Sequence, residues 1–187
     1  MQPIRRLIKG LDKLANNAHY LFTPHDLRAL LADLSLSAFR TLLSRAVKEG
    51  YLERACRGVY LFPRAIPTDG LLLFHVAARL RANEFNYISL ETVLSEAGVI
   101  SQIPVNWISL MSSGRSNHIN CGRFGTIEFV HTTRKPAELM KQLTYSSRCG
   151  LWRASVALAL YDMRVTHRNL DLIDWSVADE FIRPVGE

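Results

Sequence analysis

Cysteine is scarce in this sequence, and the few present form no motif. Cys56, Cys121 and Cys149 are odd in number, far apart and without a C-x-x-C pair. That excludes a disulfide scaffold or a zinc ribbon and leaves three reduced, buried thiols as the expectation. Long apolar runs are missing too, so no segment is expected to span a membrane and no membrane partner is expected. The opening Met1-Gln2-Pro3-Ile4-Arg5-Arg6 lacks the apolar core of a signal peptide, which points to a cytoplasmic protein. Polar low-complexity tracts are absent: 48% of the 187 residues are hydrophobic and 21% charged, enough for one large core or two small ones. Finally, G-x-S-x-G, the P-loop and G-x-G-x-x-G are all missing, which removes the commonest hydrolase and nucleotide-binding readings.

Acids are the next thing in short supply, and only in one place. Residues 1–64 hold eleven Lys and Arg against five Asp and Glu, an excess of six, whereas residues 65–187 hold twelve of each. The whole net charge of +6 therefore sits in the first third of the chain. A basic domain joined to a neutral one indicates a polyanionic partner for the first alone.

Helical and strand periodicities give that first domain a shape. Ile4, Leu7, Ile8, Leu11 and Leu14 recur at helical spacing, with Arg5, Arg6, Lys9 and Lys13 off the stripe. Asn16-Asn17 ends the helix, and Tyr20-Leu21-Phe22 is extended. Thr23-Pro24 marks a second helix, with Thr23 as cap and Pro24 at the first helical position. A turn with a serine cap leads to a third helix, whose Phe39, Leu42, Leu43, Ala46 and Val47 share one face and which Gly50 stops. Two β-rich runs follow, 51–56 and 59–62, joined at Arg57-Gly58. Three helices and a hairpin predict a winged helix-turn-helix over 1–64, the third helix entering the major groove and the wing touching the backbone. Ser37, Arg40, Thr41, Ser44, Arg45 and Lys48 of the third helix are the expected DNA contacts, with Arg54 and Arg57 from the wing and Arg5 and Lys9 from the first helix.

Residues 65–70 read as a linker, with Pro67 and Gly70 as breakers, and 71–187 as a second, α+β domain. Helices are expected over 71–82, 89–97, 136–143, 151–163 and 170–181, and an extended piece at Tyr87-Ile88. Three β-like runs, 107–111, 116–121 and 125–130, predict a small antiparallel meander. Residues 115–153 carry seven bases against two acids, so Arg115, Arg123, Arg134, Lys135 and Lys141 are candidates for a further basic surface. Residues 154–187 carry three bases against six acids, an acidic stretch expected to cover that basic surface, face a partner or meet the basic face of a neighbouring copy.

Little in the sequence suggests catalysis. His118, Cys121 and His131 lack a fourth ligand at a recognisable spacing and are assigned structural roles. Asp171, Asp174 and Asp179 read as a solvated helix face, His25 as a surface residue, and Gly122-Arg123-Phe124-Gly125 as a hairpin turn. The expectation is a binding protein without cofactor or metal. A different reading makes the second domain a ligand sensor, with an apolar pocket around Trp107, Phe129 and Trp152.

The order of these signals resembles the AbiEi-type antitoxins, the transcriptional-repressor half of type IV abortive-infection toxin–antitoxin pairs. Phe22-Thr23-Pro24-His25-Asp26-Leu27, the run from Leu43 to Leu52 and Arg57-Gly58-Val59-Tyr60 look like that family's winged helix. Tyr87-Ile88-Ser89-Leu90-Glu91-Thr92-Val93-Leu94, then Gly98-Val99-Ile100, resembles the start of its C-terminal region, and residues 125–132 its following strand. One departure stands out: where many relatives carry a segment like ASPERALLDL, Gly150 to Leu160 has neither the proline nor the acid. The resemblance implies an autorepressor that binds an inverted repeat in its own promoter, acts in phage defence, and neutralises a nucleotidyltransferase-like toxin directly or functionally. Binding an inverted repeat further implies self-association on double-stranded DNA.

Overall fold

A computed structural model describes residues 2–101 and 106–182. Contacts divide the chain after Leu72 into two compact units, and residues 65–70, expected as a linker, fall within the first.

In the first unit α1 (Pro3–Leu14), α2 (Pro24–Ala29) and α3 (Leu36–Lys48) pack with a three-stranded antiparallel sheet. Its strands are β1 (Leu21–Phe22), β2 (Glu53–Cys56) and β3 (Val59–Leu61), in the order β1-β3-β2. Local chemistry sets the boundaries. Thr23 and Asp26 form a reciprocal capping box, the Asp26 N–H reaching Thr23 Oγ1 at 3.3 Å and the Thr23 N–H reaching Asp26 Oδ2 at 2.7 Å. Ser35 Oγ accepts from the Ala38 N–H at 3.2 Å and starts α3. Gly50, at φ +76°, takes the left-handed conformation that ends it. Leu7, Leu11, Leu27, Leu31, Phe39 and Leu61 form the buried centre. Gly10 of α1 faces the Leu30 side chain, where an added Cβ would lie 3.0 Å from a Leu30 methyl.

Three arginines of this unit are engaged within it. Arg6 donates twice to Asp33, at 2.7 and 2.6 Å, tying α1 to the turn before α3. The hydrogen bond from Arg6 lowers the Asp33 carboxyl to about 2. Arg28 donates to the carbonyls of Leu31, Ala32 and Leu34 and lies 5.4 Å from the Phe39 ring centre. Arg64 pairs with Asp12 at 3.2 Å.

In the second unit one six-stranded sheet, in the order β6-β7-β5-β4-β9-β8, carries the helices. Its strands are β4 (Asn86–Ile88), β5 (Trp107–Ser112), β6 (Asn117–Asn120), β7 (Thr126–His131), β8 (Leu143–Ser146) and β9 (Leu151–Ala154). The helices are α4 (Leu72–Leu80), α5 (Leu90–Glu96), α6 (Pro136–Leu139), α7 (Val156–Val165) and α8 (Trp175–Ile182). α5 packs against β5 and α7. Ser89, between β4 and α5, donates from Oγ to the buried Asp162 of α7 at 2.7 Å. Burial pushes the Asp162 carboxyl above its usual range, against that hydrogen bond.

The α+β class stands, but the sheet is larger than expected and it is mixed. The expected meander over 107–130 does not form: β5 and β7 run parallel as neighbours, and β6 lies outside β7 at the edge. Burial explains the order. Residues 108–112 of β5 and 127–129 of β7 are buried, while Asn117-His118-Ile119-Asn120 is polar and suits an edge. The expected helix over 151–163 is also corrected. Leu151–Ala154 is a strand parallel to β4, and Ser155 Oγ, accepting from the Leu158 N–H, starts α7 behind it. Likewise the helix expected over 136–143 stops at Leu139, and Leu143–Ser146 pairs with β9. Leu143-Thr144-Tyr145-Ser146 and Leu151-Trp152-Arg153-Ala154 are only four residues each, too short for periodicity to separate a strand from a helical turn.

Candidate nucleic-acid interface

The α3 helix turns a polar strip to solvent. Ser37, Arg40, Thr41, Ser44, Arg45 and Lys48 are all exposed, while Phe39, Leu42, Leu43 and Ala46 are buried on the other side. The side chains differ in how free they are. Arg40, Ser44 and Lys48 make no side-chain hydrogen bond or ion pair among the described residues. Thr41 Oγ1 donates back to the Ser37 carbonyl at 3.0 Å, leaving its lone pairs as acceptors. Ser37 Oγ lies 3.1 Å from Ser35 Oγ. Arg45 Nε donates to Glu49 Oε1 at 2.6 Å, and that hydrogen bond raises its already high pKa further.

Beside this strip lies a groove of about 420 Å³, lined by Pro3, Leu34, Ser37, Ala38, Thr41, Leu42 and Arg45. Pro3 brings the N-terminus of α1 alongside α3. Arg5 and Lys9, four residues apart on α1 and both exposed, form no ion pair among the described residues.

The β2–β3 hairpin supplies the remaining cations. Cys56 pairs with Val59 across a two-residue turn, in which Gly58 adopts φ +86°, a conformation open to glycine without strain. The register shifts between Arg54 and Cys56, a bulge that kinks the strand. Arg54 is exposed and its Nε donates to the Cys56 carbonyl at 3.2 Å, steadying it beside the tip. Arg57 stands exposed at the tip, with no side-chain partner among the described residues.

The further basic residues of the second unit are spread out. Arg115 and Arg123 flank the two ends of β6, at one edge of the sheet, whereas Lys141 precedes β8 at the other. Six strands at about 4.8 Å spacing put these edges roughly 24 Å apart. Arg123 lies 4.4 Å from the Phe124 ring centre, and Arg134, half-buried, 4.8 Å from that of Tyr161. Lys135 precedes α6 and is exposed. The acidic segment is described as far as residue 182, and 183–187 lie outside the described residues.

His118, Cys121 and His131 each have other partners. His118 bonds Glu128, Cys121 is buried with Sγ 3.9 Å from the Ile119 carbonyl, and His131 Nδ1 lies 2.9 Å from the Gly114 carbonyl. Among the described residues no group of three His, Cys, Asp or Glu is placed to hold a metal ion. Asp174 caps α8 through the Ser176 and Val177 N–H groups.

Pairing register assembles one cluster that residue spacing does not reveal. Ser109 of β5, Glu128 of β7 and His118 of β6 stand in one row across the sheet. The Glu128 carboxylate, 7% exposed, accepts from Ser109 Oγ at 2.8 Å, His118 Nε2 at 3.1 Å, Arg168 Nη2 at 2.5 Å and Trp107 Nε1 at 3.4 Å. Burial pushes this carboxyl up, but the hydrogen bonds from Arg168, His118 and Ser109 and the charge of Arg168 together hold it below the usual value. The cluster floors a cleft of about 560 Å³ that includes Thr166 and Phe129. Among the described residues the three aromatics expected to line a pocket, Trp107, Phe129 and Trp152, have separate ring neighbours. The Trp107 ring centre lies 5.5 Å from that of His118 at a 60° tilt, Phe129 lies under Arg81, and Trp152 packs edge-on to Tyr145.

Residues 11–63, which include α2, α3 and the hairpin, match the model of a family described as "Transcriptional regulator, AbiEi antitoxin". No curated protein matches the chain. Among solved structures it is similar to the crystal structure of the RV2827C protein from Mycobacterium tuberculosis, with a TM-score of 0.54 and 12% sequence identity, over 96% of this chain and 71% of that one. At that identity the likeness is one of fold. Among the described residues, no helix is long and apolar enough to cross a membrane.

Proposed function

We propose that the chain is a DNA-binding transcriptional repressor and antitoxin whose first unit is a winged helix-turn-helix. The observation that carries this reading is the exposed strip of α3, where Arg40, Ser44 and Lys48 are unengaged, within a segment similar to AbiEi regulators. In this reading α3 enters the major groove, where Arg40 reaches base edges. The hairpin arginines Arg54 and Arg57, with Arg5 and Lys9, contact phosphates and position the domain. One such domain covers a short half-site, so an inverted repeat in the protein's own promoter takes two copies held together, with the second unit as the self-association element. The second unit also carries the antitoxin activity toward a nucleotidyltransferase-like toxin in the cytoplasm.

The protein acts by binding, without catalysis or cofactor. The buried Glu128 supports this, because both of its carboxylate oxygens already accept from protein donors. The test is a gel shift of the full chain on the DNA upstream of its own reading frame, with a shuffled duplex as competitor. Specific retention that falls steeply with salt is expected. Equal retention of both duplexes would sink the repressor reading. Co-expression of residues 70–187 with a nucleotidyltransferase-like toxin, sought in the neighbouring reading frame, tests the antitoxin half, and rescue by residues 1–64 alone would overturn the division of labour.

A further inference from the structure

One large apolar side chain stands at the start of α3 among polar neighbours. Leu36, the first residue of the helix, is 63% exposed, more than any other large hydrophobic among the described residues. The fold makes no use of it. Ser35 caps the helix, and Phe39, Leu42, Leu43 and Ala46 supply its buried side. Leu34, before the cap, and Phe39, at the fourth helical position, already occupy the two places whose apolar contact fixes a helix entry. Leu36 lies one turn before Arg40 on the same side of the helix and is followed by the exposed Ser37.

That place has a chemical meaning if α3 is the reading helix. The N-terminal residues of such a helix meet base edges in the major groove. The edges there offer hydrogen-bond donors and acceptors, with one apolar feature, the C5-methyl of thymine. We infer that Leu36 is a specificity-determining residue that packs on a thymine methyl beside the base edge reached by Arg40. The preferred site then carries thymine at that step. This inference rests on the DNA-binding reading above and sharpens it, since it names a base that the polar strip alone does not.

Replacing the methyl tests it. Duplexes selected from a random-sequence library by the full chain serve as the probe, and each thymine of the selected site is replaced in turn by deoxyuridine, which lacks only that methyl. The wild type is expected to lose about fourfold in affinity at one thymine of each half-site, the size of one buried methyl. Leu36→Ala is expected to weaken binding to the unmodified site by a similar factor and to be indifferent to uridine at that position. Leu36→Met keeps an apolar chain and should keep the response. An exposed side chain is replaced in each case, and unchanged thermal unfolding verifies the fold. A Leu36→Ala protein that still discriminates thymine from uridine, or a wild type indifferent at every thymine, overturns the assignment. Arg40→Ala separates the two claims. If it binds like wild type, or if the library yields no preferred site, the DNA-binding reading fails and the Leu36 assignment with it. If Arg40→Ala loses affinity while uridine has no effect, Leu36 alone is wrong.

Discussion

The half-buried arginines of the second unit and the exposed cations of the first are used in opposite ways. In the second, Arg81 lies 3.9 Å from the Phe129 ring centre and donates to Ser112 Oγ, Arg168 joins Glu128 and Glu91, and Arg153 pairs with Glu96. In the first, Arg5, Lys9, Arg40, Lys48 and Arg57 stand exposed, without ion pairs among the described residues. Formal charge counts these residues alike, but a guanidinium locked on a carboxylate presents little field to a polyanion. The first unit is itself divided, since Arg6, Arg28 and Arg64 are engaged inside it. A charge excess therefore points to a surface only once the structural arginines are set aside.

The contrast can be broken from the second unit, where the largest effect on stability is expected. Glu128→Ala leaves Ser109 and Trp107 without this acceptor and Arg168 with Glu91 alone, and should cost about 1–3 kcal/mol of stability, read from urea unfolding. A loss near zero would show the cluster to be solvated. Because the Glu128 carboxyl is held below its ordinary value, its contribution is complete above the unfolded-state value and is lost as the pH falls through the lower folded one. Acid titration of wild type against Glu128→Gln should show that loss only in wild type.

Changes to the free cations should do the reverse, sparing stability and weakening DNA binding. Arg40→Ala should cost about 1–3 kcal/mol of affinity for the preferred site at unchanged thermal stability. Arg57→Ala should act equally on specific and random duplexes and flatten the salt dependence by about one unit of slope. If discrimination collapses instead, the hairpin reads bases. Arg45 sharpens the comparison within one helix. Glu49 competes for it, so Arg45→Ala should weaken binding less than Arg40→Ala, and Glu49→Gln should strengthen it slightly. Equal losses from Arg40→Ala and Arg45→Ala would mean that DNA displaces Glu49 at no cost.

Much of the first unit was legible because its signals are local. Thr23, Pro24 and Asp26 start α2 within four residues, Ser35 and Gly50 bracket α3, and helical spacing alone separates Phe39, Leu42 and Leu43 from Arg40, Thr41 and Ser44. What was not legible is which cations are committed. Arg6 finds Asp33 27 residues away and Arg64 finds Asp12 52 residues away. In the second unit the runs of β-forming residues were visible, but their order was not. The polar edge character of β6 was written in Asn117-His118-Ile119-Asn120, yet sequence adjacency argued for a meander.

Sequence alone determined the segregation of charge, the three helices and hairpin of the first unit, and the exposed strip of α3. Each follows from caps, breakers and a 3.6-residue period, which act over a few bonds. Tertiary structure alone decided that β7 enters between β5 and β6, that Ser109, Glu128, His118 and Arg168 meet, and that Leu36 is left bare beside Arg40. Strand pairing and burial are contests between segments far apart in the chain, and their outcome depends on every competing partner at once.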